Sequence, residues 1–208
     1  WSVEVNGVRC DAFSTNYQTN LTTGFTAPLT GTNQYVNTVA GVTNSLWTGS
    51  FGDLNIKQLT TVKAGKLYFT ANVKFYNTGT TTLNNVYYMR TLDPDNDVSV
   101  SGNFTTTNEI TYQLPNAGNK SLVGATAVVD TQAYLGLGTI DCRSKVFVCN
   151  NFSLFPPPIP DSLADFFNGH PDLLYTGTLQ SDVGIGIVYQ LGNIAPGDST
   201  ELNFAYIL

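Results

Sequence analysis

Apolar and polar residues alternate along most of this chain. In Leu67-Tyr68-Phe69-Thr70-Ala71-Asn72-Val73-Lys74-Phe75, the residues Leu67, Phe69, Ala71, Val73 and Phe75 share one face. Tyr68, Thr70, Asn72 and Lys74 share the other. A period of two predicts a strand with one buried face. Asp53 to Val62 has the same rhythm, with Leu54, Ile56 and Gln58 opposite Asn55 and Lys57. Further strands are predicted over Asn85 to Leu92, Glu109 to Leu114, Leu122 to Val129, Lys145 to Cys149, Gly184 to Leu191 and Thr200 to Leu208.

Turn formers separate these runs. Ala64-Gly65 precedes the Leu67 run and Asn77-Thr78-Gly79 ends it. Ala195-Pro196-Gly197-Asp198 predicts a chain reversal between the last two strands, because Pro fixes φ and Gly tolerates positive φ. Gly184 and Gly186, inside a strand-like run, predict a bulge or close packing of the backbone. One short helix is expected over Asp161 to Phe167, with an Asp or Ser cap before it and Asn168-Gly169 after it. Phe155-Pro156-Pro157-Pro158-Ile159-Pro160 predicts an extended surface crossing between strands. Many strands, short turns and little helix predict an all-β fold, an antiparallel β-sandwich with short helical turns, as one module over residues 1–208. The chain starts on Trp1, which suggests a processed chain or part of a longer or polymerising one.

Composition narrows the function. Of 208 residues, 9 are Lys or Arg and 15 are Asp or Glu, a net charge of −6. Nine scattered cations cannot build the basic face that nucleic acid requires. No stretch approaches the roughly 20 apolar residues of a membrane helix. Thr, Asn and Ser fill 61 positions, 28 of them Thr, while only 12% of residues are charged. Such a surface suits an extracellular location, where hydroxyls and glycans maintain solubility. Four sequons, at Asn20, Asn103, Asn119 and Asn151, are candidate N-glycosylation sites.

Little in the chain suggests catalysis, and no enzyme activity is expected. The single histidine, His170, lies between Gly169 and Pro171, and no nucleophile-elbow pattern accompanies it. One His and three Cys make a poor zinc set. The strongest local signal is Arg90-Thr91-Leu92-Asp93-Pro94-Asp95-Asn96-Asp97. Asp93, Asp95 and Asp97 repel one another unless a cation sits between them, so calcium is a candidate cofactor there. An Asp-Pro turn with Arg90 offsetting the charge explains the same residues. It is not an EF-hand loop, since Val98 stands at the sixth position and Phe104 at the twelfth. The cysteines are Cys10, Cys142 and Cys149. An extended segment between Cys142 and Cys149 holds them about 23 Å apart, which predicts a disulfide from Cys10 to Cys142 or Cys149 instead.

Asn85-Val86-Tyr87-Tyr88-Met89-Arg90-Thr91-Leu92 followed by Asp93-Pro94-Asp95-Asn96-Asp97 resembles a signature in modules of large secreted bacterial proteins of the haemolysin-type calcium-binding and adhesin kind. Leu135-Gly136-Leu137-Gly138-Thr139-Ile140-Asp141-Cys142-Arg143 is similar to a second element of those modules. Trp47 to Asp53, Leu191 to Asp198 and Phe204 to Leu208 extend the likeness over most of the chain. Cys142 and the triple proline depart from the pattern. The resemblance implies an extracellular interaction role and no reaction.

The leading expectation is an extracellular structural or adhesive module at the cell surface. Its partners would be other copies of itself or neighbouring modules, as in a head-to-tail filament assembled by β-strand pairing. The second is a carbohydrate-binding module that presents aromatics such as Tyr17, Trp47 or Tyr112 to glycans.

Overall fold

The computed structural model describes residues 1–11, 29–129, 133–149 and 162–208. Two antiparallel sheets pack face to face, as the alternation predicts. The first has six strands in the order β12-β11-β14-β7-β1-β2. These are β1 Ser2–Val5, β2 Val8–Asp11, β7 Leu83–Leu92, β11 Ser144–Cys149, β12 Leu173–Leu174 and β14 Ile185–Ile194. The second has nine in the order β13-β8-β9-β10-β15-β6-β5-β4-β3. These are β3 Thr30–Val39, β4 Val42–Phe51, β5 Leu54–Lys63, β6 Tyr68–Asn77, β8 Thr106–Tyr112, β9 Ser121–Ala127, β10 Tyr134–Thr139, β13 Gly177–Ser181 and β15 Ser199–Ile207.

The core lies between the sheets. Val3, Val86, Tyr88, Val146, Ile185, Ile187 and Tyr189 from the first meet Leu54, Ile56, Val73, Phe75, Val123, Leu137, Leu202 and Phe204 from the second. Tyr88 is its hub, within ring-contact distance of Trp1, Phe75, Tyr189 and Phe204. β6 follows its predicted faces, with Ala71, Val73 and Phe75 buried and Thr70 and Lys74 exposed. Leu67 does not join them: β6 begins at Tyr68, and Leu67 is exposed in the turn before it.

The six-stranded sheet departs from simple alternation. Ile185 to Tyr189 are all buried, as are Val146 to Cys149. Both faces are covered because α2, Leu163–Asn168, packs on the outer one with Tyr87, Met89, Phe147, Cys149 and Val188 beneath it. The predicted helix is therefore present, capped by Ser162, whose Oγ accepts a hydrogen bond from Asp165 N at 3.1 Å. Glu4 of β1 also accepts from Leu163 N at 2.5 Å, which ties the helix to the sheet. A second helix, α1, Val98–Ser101, lies between β7 and β8. The predicted polyproline crossing lies outside the described residues.

The reversal at Ala195–Asp198 closes with Asp198 N donating to Ala195 O at 3.0 Å, and Gly197 takes positive φ. Gly186 serves close packing. A Cβ there would lie 2.2 Å from the Phe147 ring on the neighbouring strand. The bulge in β14 comes later, at Gly192. Gly186→Ala therefore forces Phe147 off the sheet and into α2. The variant should lose about 1–3 kcal/mol of stability, measured by urea denaturation, and an unchanged midpoint would refute this packing.

Candidate metal centre

The register of β7 on β14 builds the site. Leu92 pairs with Ile185, so the residues following β7 lie beside those preceding β14. Asp93 and Asp95 belong to the loop that leaves β7 for α1 and β8. Asp182 belongs to the loop from β13 to β14. One ligand oxygen from each of Asp93, Asp95 and Asp182 lies within 4.8 Å of the other two. Three oxygens at that limit share a point about 2.8 Å from each, a little beyond a calcium–oxygen bond of about 2.3–2.6 Å, so a slight closing of the loops lets one ion reach all three.

The electrostatics are those of an uncompensated cluster. Burial first, then Asp95 and Asp182, push the Asp93 carboxyl up to about 6. Burial and then Asp182 raise Asp95. Asp95 Oδ1 is enclosed and has no hydrogen-bond partner. Arg90, the expected counter-charge, points elsewhere. Its guanidinium donates to Tyr206 Oη and lies over the Tyr206 ring, 5.5 Å from the centroid. The chain turns after Asp93-Pro94, at Asn96-Asp97, with Asn96 N donating to Pro94 O at 2.7 Å, and Arg90 does not neutralise the carboxylates there.

Asp97 is not part of this group. It is buried at the head of α1, and its Oδ2 accepts from Val129 N at 3.3 Å. Its carbonyl accepts from Val100 N and Ser101 N. Asn96 reaches back to β9, donating to Ala125 O at 2.7 Å. These two residues anchor the loop while Asp93 and Asp95 face outward. The third carboxylate is Asp182, 87 positions beyond Asp95 in the chain. Local spacing could not reveal it; pairing the Asn85 run with the Gly184 run would have.

The predicted disulfide is absent. Cys10 and Cys149 lie on β2 and β11, four strand spacings apart in one sheet. That is about 19 Å, beyond any disulfide. They also belong to different cores, Cys10 between the sheets and Cys149 under α2. Burial, with Asp93 second, raises the Cys149 thiol to about 12. Cys142 is exposed in the turn before β11 and is not bridged to either of them. The segment from Ser144 to Cys149 is extended, so Cys142 and Cys149 do not close on each other.

Among the sequons, Asn119 is exposed with positive φ. Asn103 is half-buried, with its Oδ1 accepting from Thr105 N at 2.9 Å. Asn20 and Asn151 lie outside the described residues, as does Tyr17. Trp47 is no sugar platform. It is packed edge-on against Trp1 at 5.0 Å and covers Gly31, where a Cβ would lie 2.0 Å from its ring. The Tyr112 ring carries the Lys120 ammonium 3.8 Å from its centroid. Among the described residues, no helix is long and apolar enough to cross a membrane.

No family model matches the chain, and no curated protein does. Solved structures similar to it include a TPR-domain containing protein from Parabacteroides distasonis ATCC 8503, at 11% identity and a TM-score of 0.48, covering 99% of this chain and 37% of that one. An alpha-galactosidase from Lactobacillus brevis aligns at 8% identity and a TM-score of 0.33, covering 86% and 26%. A galactose mutarotase related enzyme from Lactobacillus acidophilus aligns at 9% identity and a TM-score of 0.31, covering 87% and 71%. The chain thus spans well under half the length of the first two.

The cluster makes stability depend on pH. Asp93 titrates near 6 in the fold and near 4 in the unfolded chain. Between those values the fold binds the extra proton, so this contribution falls as pH rises from about 4 to 6. Glu4 is also raised, chiefly by burial; Asp141 is pushed up by burial, but the side-chain and backbone hydrogen bonds from Arg143 and its charge together outweigh that and lower it. The difference between wild type and Asp93→Asn isolates the Asp93 effect. In chelator, the variant should gain on the wild type across that window, read from urea midpoints against pH. Parallel profiles would remove Asp93 from the cluster.

Proposed function

We propose that this chain is an extracellular structural or adhesive module in which calcium, held by Asp93, Asp95 and Asp182, fastens the two sheets together. The observation that supports this reading is where the carboxylates sit. The β7–β8 loop leaves the six-stranded sheet for the nine-stranded one, and the β13–β14 loop makes the opposite crossing. An ion shared by the two loops cross-links both crossings at one end of the sandwich. Calcium suits the site because it takes carboxylate oxygens in flexible geometry, and extracellular modules bind it with Kd near 10⁻⁴–10⁻³ M. Three carboxylates on loops open to solvent are a donor set for that weak regime.

The extracellular part of the reading rests on the Thr-, Asn- and Ser-rich composition and on the sequons at Asn103 and Asn119, without support from disulfides. The partner is another copy of the chain or a neighbouring module, met through an open sheet edge. The His170 Nδ1 accepts from Asp172 N at 3.2 Å within its own turn, a structural contact.

At ten times its Kd, calcium should stabilise the chain by about 1.4 kcal/mol, an about 3–6 °C rise in Tm at this size. Asp182→Asn should abolish most of that rise at neutral pH, and magnesium should not reproduce it. Differential scanning calorimetry in chelator, calcium and magnesium makes the measurement. A Tm indifferent to calcium would overturn the proposed staple.

A further inference from the structure

Among the described residues, the two sheets end on four unequal edges. β12 has 2 residues, β2 has 4 and β13 has 5, while β3 has 10. Short edge strands are poor templates for pairing, and long ones normally carry Lys, Pro or inward charges to block it. β3 has none of these. No charged residue occurs anywhere between Asp11 and Asp53. Residues 31 to 39 are exposed on both faces of the strand, including Tyr35, Val36 at 66% and Val39 at 70%. Among the described residues, the protective feature of this edge is a bulge between Asn33 and Tyr35, where Gln34 turns back to bond Thr32 and Thr48. Beyond it, Tyr35 to Val39 pairs with β4 in unbroken register.

The hairpin determines which backbone groups face outward. Ala40 and Gly41 both take positive φ, the two-residue turn that matches strand twist. Such a turn closes on a hydrogen-bonded pair, here Val39 with Val42. Bonded and unbonded pairs alternate in an antiparallel ladder. Asn37 and Tyr35 therefore bond to β4, and the N–H and C=O groups of Val36 and Thr38 point away from the sheet.

From this we infer that β3 is the interface through which the module meets a second copy of itself, by antiparallel pairing about a twofold axis at Asn37. The inference rests on the structural-module reading and names its contact. The pairing is self-complementary. Val36 of each copy exchanges both backbone hydrogen bonds with Thr38 of the other. Asn37 faces Asn37, and Tyr35 faces Val39, an aromatic to β-branched pair of the kind that stabilises sheets. The net charge of −6 opposes association elsewhere on the surface, but this hairpin carries none of it. The two nine-stranded sheets become one continuous sheet. A contact of five residues a side is small, so the dimer is weak in dilute solution and forms at high local concentration.

The twofold makes a sharp test. In a Cys142→Ser background, Asn37→Cys places two sulfurs on an unbonded antiparallel pair, with Cα atoms about 4.5 Å apart and within disulfide reach. Val39→Cys is also exposed but faces Tyr35 of the other copy. Under mild oxidation of the concentrated full chain, Asn37→Cys should cross-link at least about tenfold faster than Val39→Cys. Thr38→Pro removes only an outward donor, which edge strands tolerate. Added to Asn37→Cys, it deletes two interface hydrogen bonds and should slow cross-linking about tenfold with Tm held. Equal rates for the two cysteines, or no effect of Thr38→Pro, overturn the β3 interface. If that happens while the wild type still sediments above monomer mass, only the edge assignment fails. A wild type that stays monomeric at every concentration in calcium overturns both the interface and the self-associating module.

Discussion

The register of β7 on β14 is the constraint on which the rest of the structure depends. These two strands form the centre of the six-stranded sheet and are buried on both faces over much of their length. Shifting either strand by one residue would exchange Tyr88 and Tyr189 with the residues under α2. It would also carry Leu92 past Ile185 and separate Asp93 from Asp182. Packing and site geometry are therefore fixed by the same hydrogen-bond ladder. Phe147 lying flat over Gly186 holds that ladder to β11, since only a glycine leaves room for the ring.

The two acidic segments, Asp93 to Asp97 and Asp141 to Arg143, do different physical work. Asp93-Pro94-Asp95 presents charge to solvent. Asp141 and Arg143 form a bidentate ion pair, with Nε to Oδ1 at 2.9 Å and Nη2 to Oδ2 at 2.6 Å. Arg143 then reaches Thr200 Oγ1 at 2.7 Å and Glu201 O at 2.5 Å. The pair locks the β10–β11 crossing between sheets onto β15. Charge-assisted, bidentate bonds of this kind hold a turn more firmly than isolated surface pairs do. The crossing next to the acidic cluster has no such lock, and there a cation would supply the missing positive charge.

What could be read in the sequence depended on how many faces each strand buries. β6 and β15 alternate along most of their length and β5 over its first half, and the sequence pattern places all three close to their true limits. β14 and β11 bury both, so their extent was predictable but the covering helix was not implied by their pattern. β3 and β4 carry no strand signal in the sequence, because Thr, Asn and Gly fill both faces of β3 and its hairpin turn is Ala-Gly rather than Asn-Gly. β10 carries none either, because its glycines accommodate Tyr134, whose ring lies over Gly124 and Gly136. At the site, Asp93 and Asp95 were recognisable by their density of charge. Asp97 shares that density of charge but lies outside the Asp93, Asp95 and Asp182 group, because spacing carries no information on which way a loop side chain turns. Asp182 required a long-range pairing.

The low charge has a structural counterpart on the nine-stranded sheet. Across its strands, neutral side chains take the place of ion pairs. Asn72 donates to Asn203 at 2.9 Å, Thr61 to Asn44 at 2.8 Å, and the Thr38 and Thr43 hydroxyls meet at 2.8 Å. Each pair is directly opposed in the ladder. Such bonds are not screened by salt, whereas surface ion pairs are. A sheet held this way keeps its register in saline surroundings. It also gives up charge repulsion, which ordinarily keeps sheet edges from joining. The cross-strand Thr and Asn pairs that stabilise β3 within the sheet are the same kind of contact that a second β3 would make, so the surface chemistry that holds this sheet together also makes its longest edge able to continue it.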